Sequence, residues 1–185
     1  MLEKIPRFIG DLLRYARAGE MKIAYFLDPF DGAPETLKVS SGDFQDGARL
    51  LAPFTADGEG KSPSLTWSGA PDGTADVVLM VEDPDAPTPD PLVHAIAWNL
   101  PANGHLAADA ISTDDVQTGK NAYMRSDYLP PDPPTGHGPH RYVFQFFALS
   151  EPLALTGTPG RKAVLKAMEG KVLAKGRLTG IYERA

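Results

Sequence analysis

The sequence predicts a mainly β protein carrying a few peripheral helices. Three observations lead there. Apolar runs of strand length, Val77–Glu82 and Tyr142–Leu149 among them, recur along the chain with turn residues between them. The 18 prolines in 185 residues are about twice the usual share and gather between those runs, which marks shaped loops. Helical spacing of apolar residues is confined to two segments, one near each end.

Residues 6–18 read as an amphipathic helix. Pro6 suits a first helical position, Phe8, Ile9, Leu12, Leu13 and Ala16 share one face, and Gly19 can end it. Arg7, Asp11, Arg14 and Arg17 lie elsewhere around the axis. The same charges interrupt any secretory h-region, so the chain is expected to be cytoplasmic. No segment reaches the length of a membrane span. Such a helix packs on its own domain, on a second subunit or on a membrane. Asp11 and Glu20 dilute its basic charge, which favours protein contact and leaves a homodimer as an expectation. Asp28, Pro29, Asp31, Gly32 and Pro34 make 28–36 a loop. The chain is thus divided into an N-terminal helix and linker arm, residues 1–36, and a body, residues 37–185.

In the body, Leu37–Ser40 and Ser64–Trp67 are short strands. Val77–Glu82 is unbroken and apolar, as in a strand covered on both faces. Val93–Asn99 alternates, with His94, Ile96 and Trp98 on one face and Val93, Ala95 and Ala97 on the other. Tyr142–Leu149 has a central-strand pattern, preceded by His140, which faces with Tyr142 while Arg141 faces away. Arg161–Met168 is a short helix between Pro159 and Gly170. Val172–Tyr182 closes the chain as a strand in which Gly176 and Gly180 permit bends or bulges.

Composition narrows the function. A net charge of −6 disfavours a nucleic-acid partner, which needs a surplus of Lys and Arg. With no cysteine there are no disulfides and no thiol chemistry. No G-x-S-x-G elbow or P-loop is present.

One constellation can carry chemistry. Asp83 and Asp85 lie in Val81-Glu82-Asp83-Pro84-Asp85-Ala86-Pro87, at the end of an apolar strand, and His94 and His140 each open another. Were the three strands neighbours, their ends would bring two acids, two imidazoles and the Tyr142 phenol to one mouth. Such a set can hold an anion, the acids fixing the imidazole tautomers and raising their pKa. Each residue also has a plainer reading, the acids as turn caps and the rings as core, and spacing alone leaves both open. His137 and His140 stand three apart, but the intervening Gly138-Pro139 opposes a helical pair and zinc needs three or four ligands, so no metal and no cofactor is expected.

These motifs resemble the phosphatidylethanolamine-binding protein family, most closely its bacterial Raf-kinase-inhibitor-like members. The resemblance rests on Asp83-Pro84-Asp85-Ala86-Pro87 with a histidine opening the next strand, and on Gly138-Pro139-His140-Arg141-Tyr142-Val143-Phe144. Ser62–Pro71 and Gly170–Gly176 add to it, and it covers residue 37 to the end. It implies a large central antiparallel sheet, a second smaller sheet and peripheral helices, with a small anion pocket at one end. Carried over by motif, the ligand-binding residues are Asp83, Asp85, Pro87, His94, Pro133, Pro134, His140 and Tyr142, and Arg141 is read as a structural ion pair. Two departures, Pro91-Leu92-Val93 where the family usually has tryptophan and Tyr128–Asp132 where it carries small residues, fall at the pocket rim. The expected function is non-enzymatic binding of a phosphate-bearing ligand, be it a phospholipid head group, phospho-metabolite or phosphorylated side chain. The resemblance also implies that such a protein can regulate a kinase or protease. The alternative is a small hydrolase or lyase using an Asp/His acid–base pair from Asp83 with His94 or His140.

Overall fold

The computed structural model describes residues 7–113 and 115–184. Its centre is a five-stranded antiparallel sheet in the order β6-β4-β3-β7-β8. These strands are β3 (Asp76–Asp83), β4 (Leu92–Leu100), β6 (Gln117–Thr118), β7 (His140–Leu149) and β8 (Val172–Tyr182). A three-stranded antiparallel sheet, β1 (Lys38–Ser40), β2 (Leu65–Ser68) and β5 (Gly104–Leu106), covers one face.

The alternation of strand residues explains the unbroken apolar runs. Val77, Leu79 and Val81 of β3 and Phe144 and Phe146 of β7 face the small sheet, where Trp67 stacks on Phe146 with ring centroids 5.1 Å apart. Val78, Met80, Val143 and Phe147 face the opposite way, against Ile23, Tyr25, Phe30, Val164 and Met168. A sheet covered on both faces needs apolar residues at every position, and all eight residues of β3 are buried.

The second covering layer includes a segment that sequence reading placed in the arm. Asp28–Asp31 form a short helix, α2, and Phe30 is buried where a loop was expected. A buried polar network holds this segment down. Glu82 Oε2 accepts from the Ala24 amide (2.7 Å) and Gln145 Nε2 (2.9 Å), and Gln145 Oε1 accepts from the Tyr25 amide (2.7 Å). Lys175 Nζ donates to the Tyr25 and Asp31 carbonyls, each at 2.9 Å. Arg161, on α3 (Arg161–Met168), completes the set with Nε 2.5 Å from Glu82 Oε1.

The first helix is shorter than its periodicity suggested. α1 spans Arg7–Leu13, and Pro6 lies outside the described residues. Beyond it the chain trades helical bonds for tertiary ones, since the Ala18 and Gly19 amides donate to the carbonyls of Ala86 (2.9 Å) and Pro84 (2.8 Å). Phe8 and Leu12 are exposed, so the expected apolar face is not buried as a whole. No helix among the described residues is long and apolar enough to cross a membrane.

Two other expectations need correcting. β4 does not alternate throughout, because Val81 pairs with Ala95 but Glu82 pairs with Val93, leaving His94 as an extra residue in a β-bulge. The bulge turns His94 away from Ile96 and Trp98 and sets its ring edge-on to Tyr142, centroids 4.9 Å apart. Gly176 and Gly180 mark close approach, not bends. A Cβ at Gly176 would lie 2.2 Å from the Leu37 carbonyl oxygen, and one at Gly180 would lie 2.5 Å from Leu50 Cδ2.

Candidate functional site

β4, β3 and β7 are neighbours, and the end of the sheet where β3 stops and β4 and β7 begin carries a cavity of about 270 Å³. Asp83, Pro87, His94, Pro133, Pro134, His140 and Tyr142 all line it, so seven of the eight expected residues meet there. Leu92, Leu129 and Pro130, in the two stretches that depart from the resemblance, form part of its walls.

Asp83 plays both roles considered for it. Its Oδ1 accepts from the Asp85 amide at 2.7 Å, which closes the turn over Pro84, while Oδ2 lies 2.7 Å from His140 Nδ1. Side chain and loop are thereby fixed together.

Asp85 departs from expectation. It turns away from the cavity because Arg141 takes it, with Nε donating to Oδ2 (2.8 Å), Nη2 to Oδ1 (2.9 Å) and the backbone amide to Oδ2 (2.9 Å). Arg17 Nη1 adds a contact of 2.9 Å to Oδ1. Burial pushes the Asp85 carboxyl up, but the bonds from Arg141 and Arg17 outweigh it and hold the group below its usual range. Arg141 also reaches Glu20 Oε2 (2.6 Å) and is the structural ion-pair partner that its outward facing suggested.

His140 does not offer a free nitrogen to the cavity. Its Nε2 lies 2.7 Å from His137 Nδ1, and His137 Nε2 lies 3.2 Å from the Ala16 carbonyl oxygen. A carboxylate and a carbonyl terminate this chain, and both accept. Two protons satisfy its two shortest contacts, one from His140 Nδ1 to Asp83 and one between the two rings. Burial, together with His140, lowers the pKa of His137. The ring nitrogens thus face one another or their terminal acceptors, not a common metal, and no group of three metal-ligating side chains forms among the described residues. Both ring nitrogens of His140 are thus engaged by protein partners.

His94 is the ring that addresses the cavity. Its Nδ1 is 2.6 Å from the Leu129 carbonyl oxygen, so this nitrogen carries the proton. Nε2 is buried and has no hydrogen-bond partner among the described residues. Burial lowers the His94 pKa and outweighs the raising effect of Asp83 and the Leu129 carbonyl. The expected upward shift from neighbouring acids is therefore reversed, because desolvation dominates. Burial, with Asp83 next, raises the Tyr142 pKa and keeps its phenol a hydrogen-bond donor.

Some of the site was not anticipated. Leu13 of α1, Tyr123 and Asp132 line the cavity, and Arg184 Nη1 holds Asp132 Oδ1 at 2.5 Å from the far end of the chain. Leu13 and Arg184 approach through tertiary packing, which leaves no local signal. His137 was visible through its spacing from His140, but its role as a proton partner needed the turn at Gly138-Pro139 to fold the rings together, with centroids 4.7 Å apart.

Comparison with known proteins agrees with this architecture. The sequence model of the family described as phosphatidylethanolamine-binding protein matches residues 40–183. A UPF0098 protein of Aquifex aeolicus is 36% identical over 160 residues, covering 84% of this chain and 93% of that protein. The crystal structure of a putative phosphatidylethanolamine-binding protein homolog from Chlamydia trachomatis superposes with a TM-score of 0.75 at 30% identity, covering 82% of this chain and 99% of that one. YbcL of E. coli, described as a new member of the mammalian family, gives 0.75 at 29% identity, with 81% and 99% covered. A match over most of the chain, two antiparallel sheets and a shared fold at these identities establish that this chain belongs to the phosphatidylethanolamine-binding protein family.

Proposed function

We propose that this chain is a non-enzymatic binding protein whose cavity takes a small ligand bearing a phosphate or similar oxyanion. The observation that carries the reading is His94 Nε2, a buried polar atom without a partner among the described residues, on a ring that lines the cavity. Buried polar groups are nearly always satisfied, so an orphan beside a cavity marks a place for a ligand atom. Tyr142 supplies a donor beside it, and the apolar walls suit the organic remainder of such a ligand. The volume is that of about nine waters, enough for a phosphate and a short substituent.

Calorimetry with phosphate and phosphoethanolamine at pH 6 and pH 8 tests this. Binding at pH 6, weaker at pH 8, and reduced several-fold in Tyr142→Phe, is the expected result. Absence of binding at both pH values overturns it. A kinase or protease partner enters the proposal only as the bearer of a phosphorylated side chain presenting the same group.

We also propose that α1 carries the contact of a homodimer, since it leaves Phe8 and Leu12 exposed by 69% and 80% one turn apart, with Tyr15 just beyond it exposed by 91%. Light scattering of the wild type and of Leu12→Glu/Tyr15→Glu should give a dimer and a monomer. Equal masses would remove the helix from any interface.

A further inference from the structure

We infer that the cavity selects phosphate monoesters, taken up in their singly protonated form, over phosphate diesters. The inference rests on the anion-binding reading above and adds to it the chemistry of the group that is bound.

The hydrogen-bond character of the two polar groups decides the matter. The Leu129 carbonyl can only accept, so the His94 proton sits on Nδ1, and a neutral ring then presents Nε2 as a bare lone pair. His94 is 3% exposed, and charging it in place is costly. The groups facing it are Asp83 from β3, His140 and Tyr142 from β7, and Asp132 from the loop before β7. His140 Nδ1 donates to Asp83 at 2.7 Å and Arg184 holds Asp132, so both nearby carboxylates are already engaged. Tyr142 donates. A ligand head that satisfies the site must accept from the phenol and donate to Nε2.

A singly protonated phosphate monoester does both, having one P–OH and two further free oxygens. A diester has no P–OH. It would set an oxygen lone pair against the Nε2 lone pair unless His94 took up a proton against its burial. The head group of an intact phospholipid is such a diester. A phospho-metabolite and a phosphorylated side chain both carry the monoester.

The test is calorimetry on the full chain at pH 6 and pH 7.5, in two buffers of different ionisation enthalpy. The probes are phosphoethanolamine, a short phosphoserine peptide and glycerophosphoethanolamine, the matched diester. The first two separate the two sources of a monoester, and the third isolates its second ester bond. At pH 6 at least one monoester should bind about tenfold or more tightly than the diester, the size expected of one buried acceptor left unsatisfied. Because the second ionisation of a phosphomonoester lies near pH 6, binding at pH 7.5 should take up about one proton per ligand.

The variant His94→Gln carries an amide able to donate, so the preference should disappear while the thermal unfolding midpoint stays close to that of the wild type. If the variant does not fold, the comparison of esters on the wild type decides alone. Binding of the diester as tightly as the monoesters, or monoester binding without proton uptake at pH 7.5, overturns this inference and leaves the anion site standing. Binding of none of the three overturns the anion site itself.

Discussion

At the scale of single residues, the site is governed by which hydrogen-bonding atoms are already spoken for. Asp85 illustrates this. Its motif position suggested a pocket wall, yet its carboxylate is consumed by Arg141 and Arg17. Asp85→Ala should therefore cost about 2–4 kcal/mol of stability, by stranding a charge-assisted partner, while ligand affinity in the folded variant changes little. Urea unfolding and calorimetry on one preparation measure both, and lost affinity at unchanged stability would put Asp85 back in the pocket. Residue types and their order were legible in the sequence here, because acids, imidazoles and a phenol at strand ends are sequence facts. The partner of each nitrogen was not. His140 and His94 look equivalent in one dimension, and only the bulge in β4 and the turn at Gly138-Pro139 make one a closed relay and the other an open acceptor.

At the scale of elements, β3 was readable because a strand covered on both faces requires the continuous apolar character that its eight buried positions display. α3 and β8 were readable to their ends, from a proline before, a glycine after and a run of strand formers. β5, of three residues, and β6, of two, were not found, since such short elements are held by their partners and carry no periodicity of their own. The stretch Asp28–Asp31, read as part of a loop, was misread for a related reason. Asp28, Pro29, Asp31 and Gly32 carry turn signals, but the backbone here and just before it is captured by Glu82, Gln145 and Lys175 from the sheet. Glu82→Ala should strand Arg161 and release the Ala24 amide, at a cost of about 3–5 kcal/mol. Hydrogen exchange should show residues 20–30 opening before the sheet does. Exchange in this segment unchanged from the wild type would mean that apolar burial alone retains it.

At the scale of the whole molecule, the buried rings make stability depend on pH. The folded state holds His94 and His137 below their ordinary value, so the unfolded chain binds protons first as pH falls. Stability from these groups is complete above about pH 6.5 and is lost as pH drops below it, by at most about 1.4 kcal/mol per pH unit for each ring. Asp85, also depressed, adds a second loss only below about pH 4. Urea midpoints from pH 8 to pH 3 should be level at first and then decline in these two stages. A midpoint rising between pH 7 and pH 5 would mean that the rings gain protons on folding. The mainly β class with peripheral helices was legible from where apolar residues fall, and the pairing of a large with a small sheet only from the motif resemblance. The lining of the pocket by Leu13 and the anchoring of its wall residue Asp132 by Arg184 were not.

Everything proposed for ligand binding turns on His94 Nε2 and the Tyr142 phenol receiving an oxyanion in the cavity at the end of the sheet. A crystal soaked in phosphoethanolamine at pH 6 puts this to the proof. A phosphate should stand within hydrogen-bond distance of both atoms, with the Asp83–His140–His137 relay undisturbed. A phosphate bound elsewhere, while that cavity holds only water, would refute it.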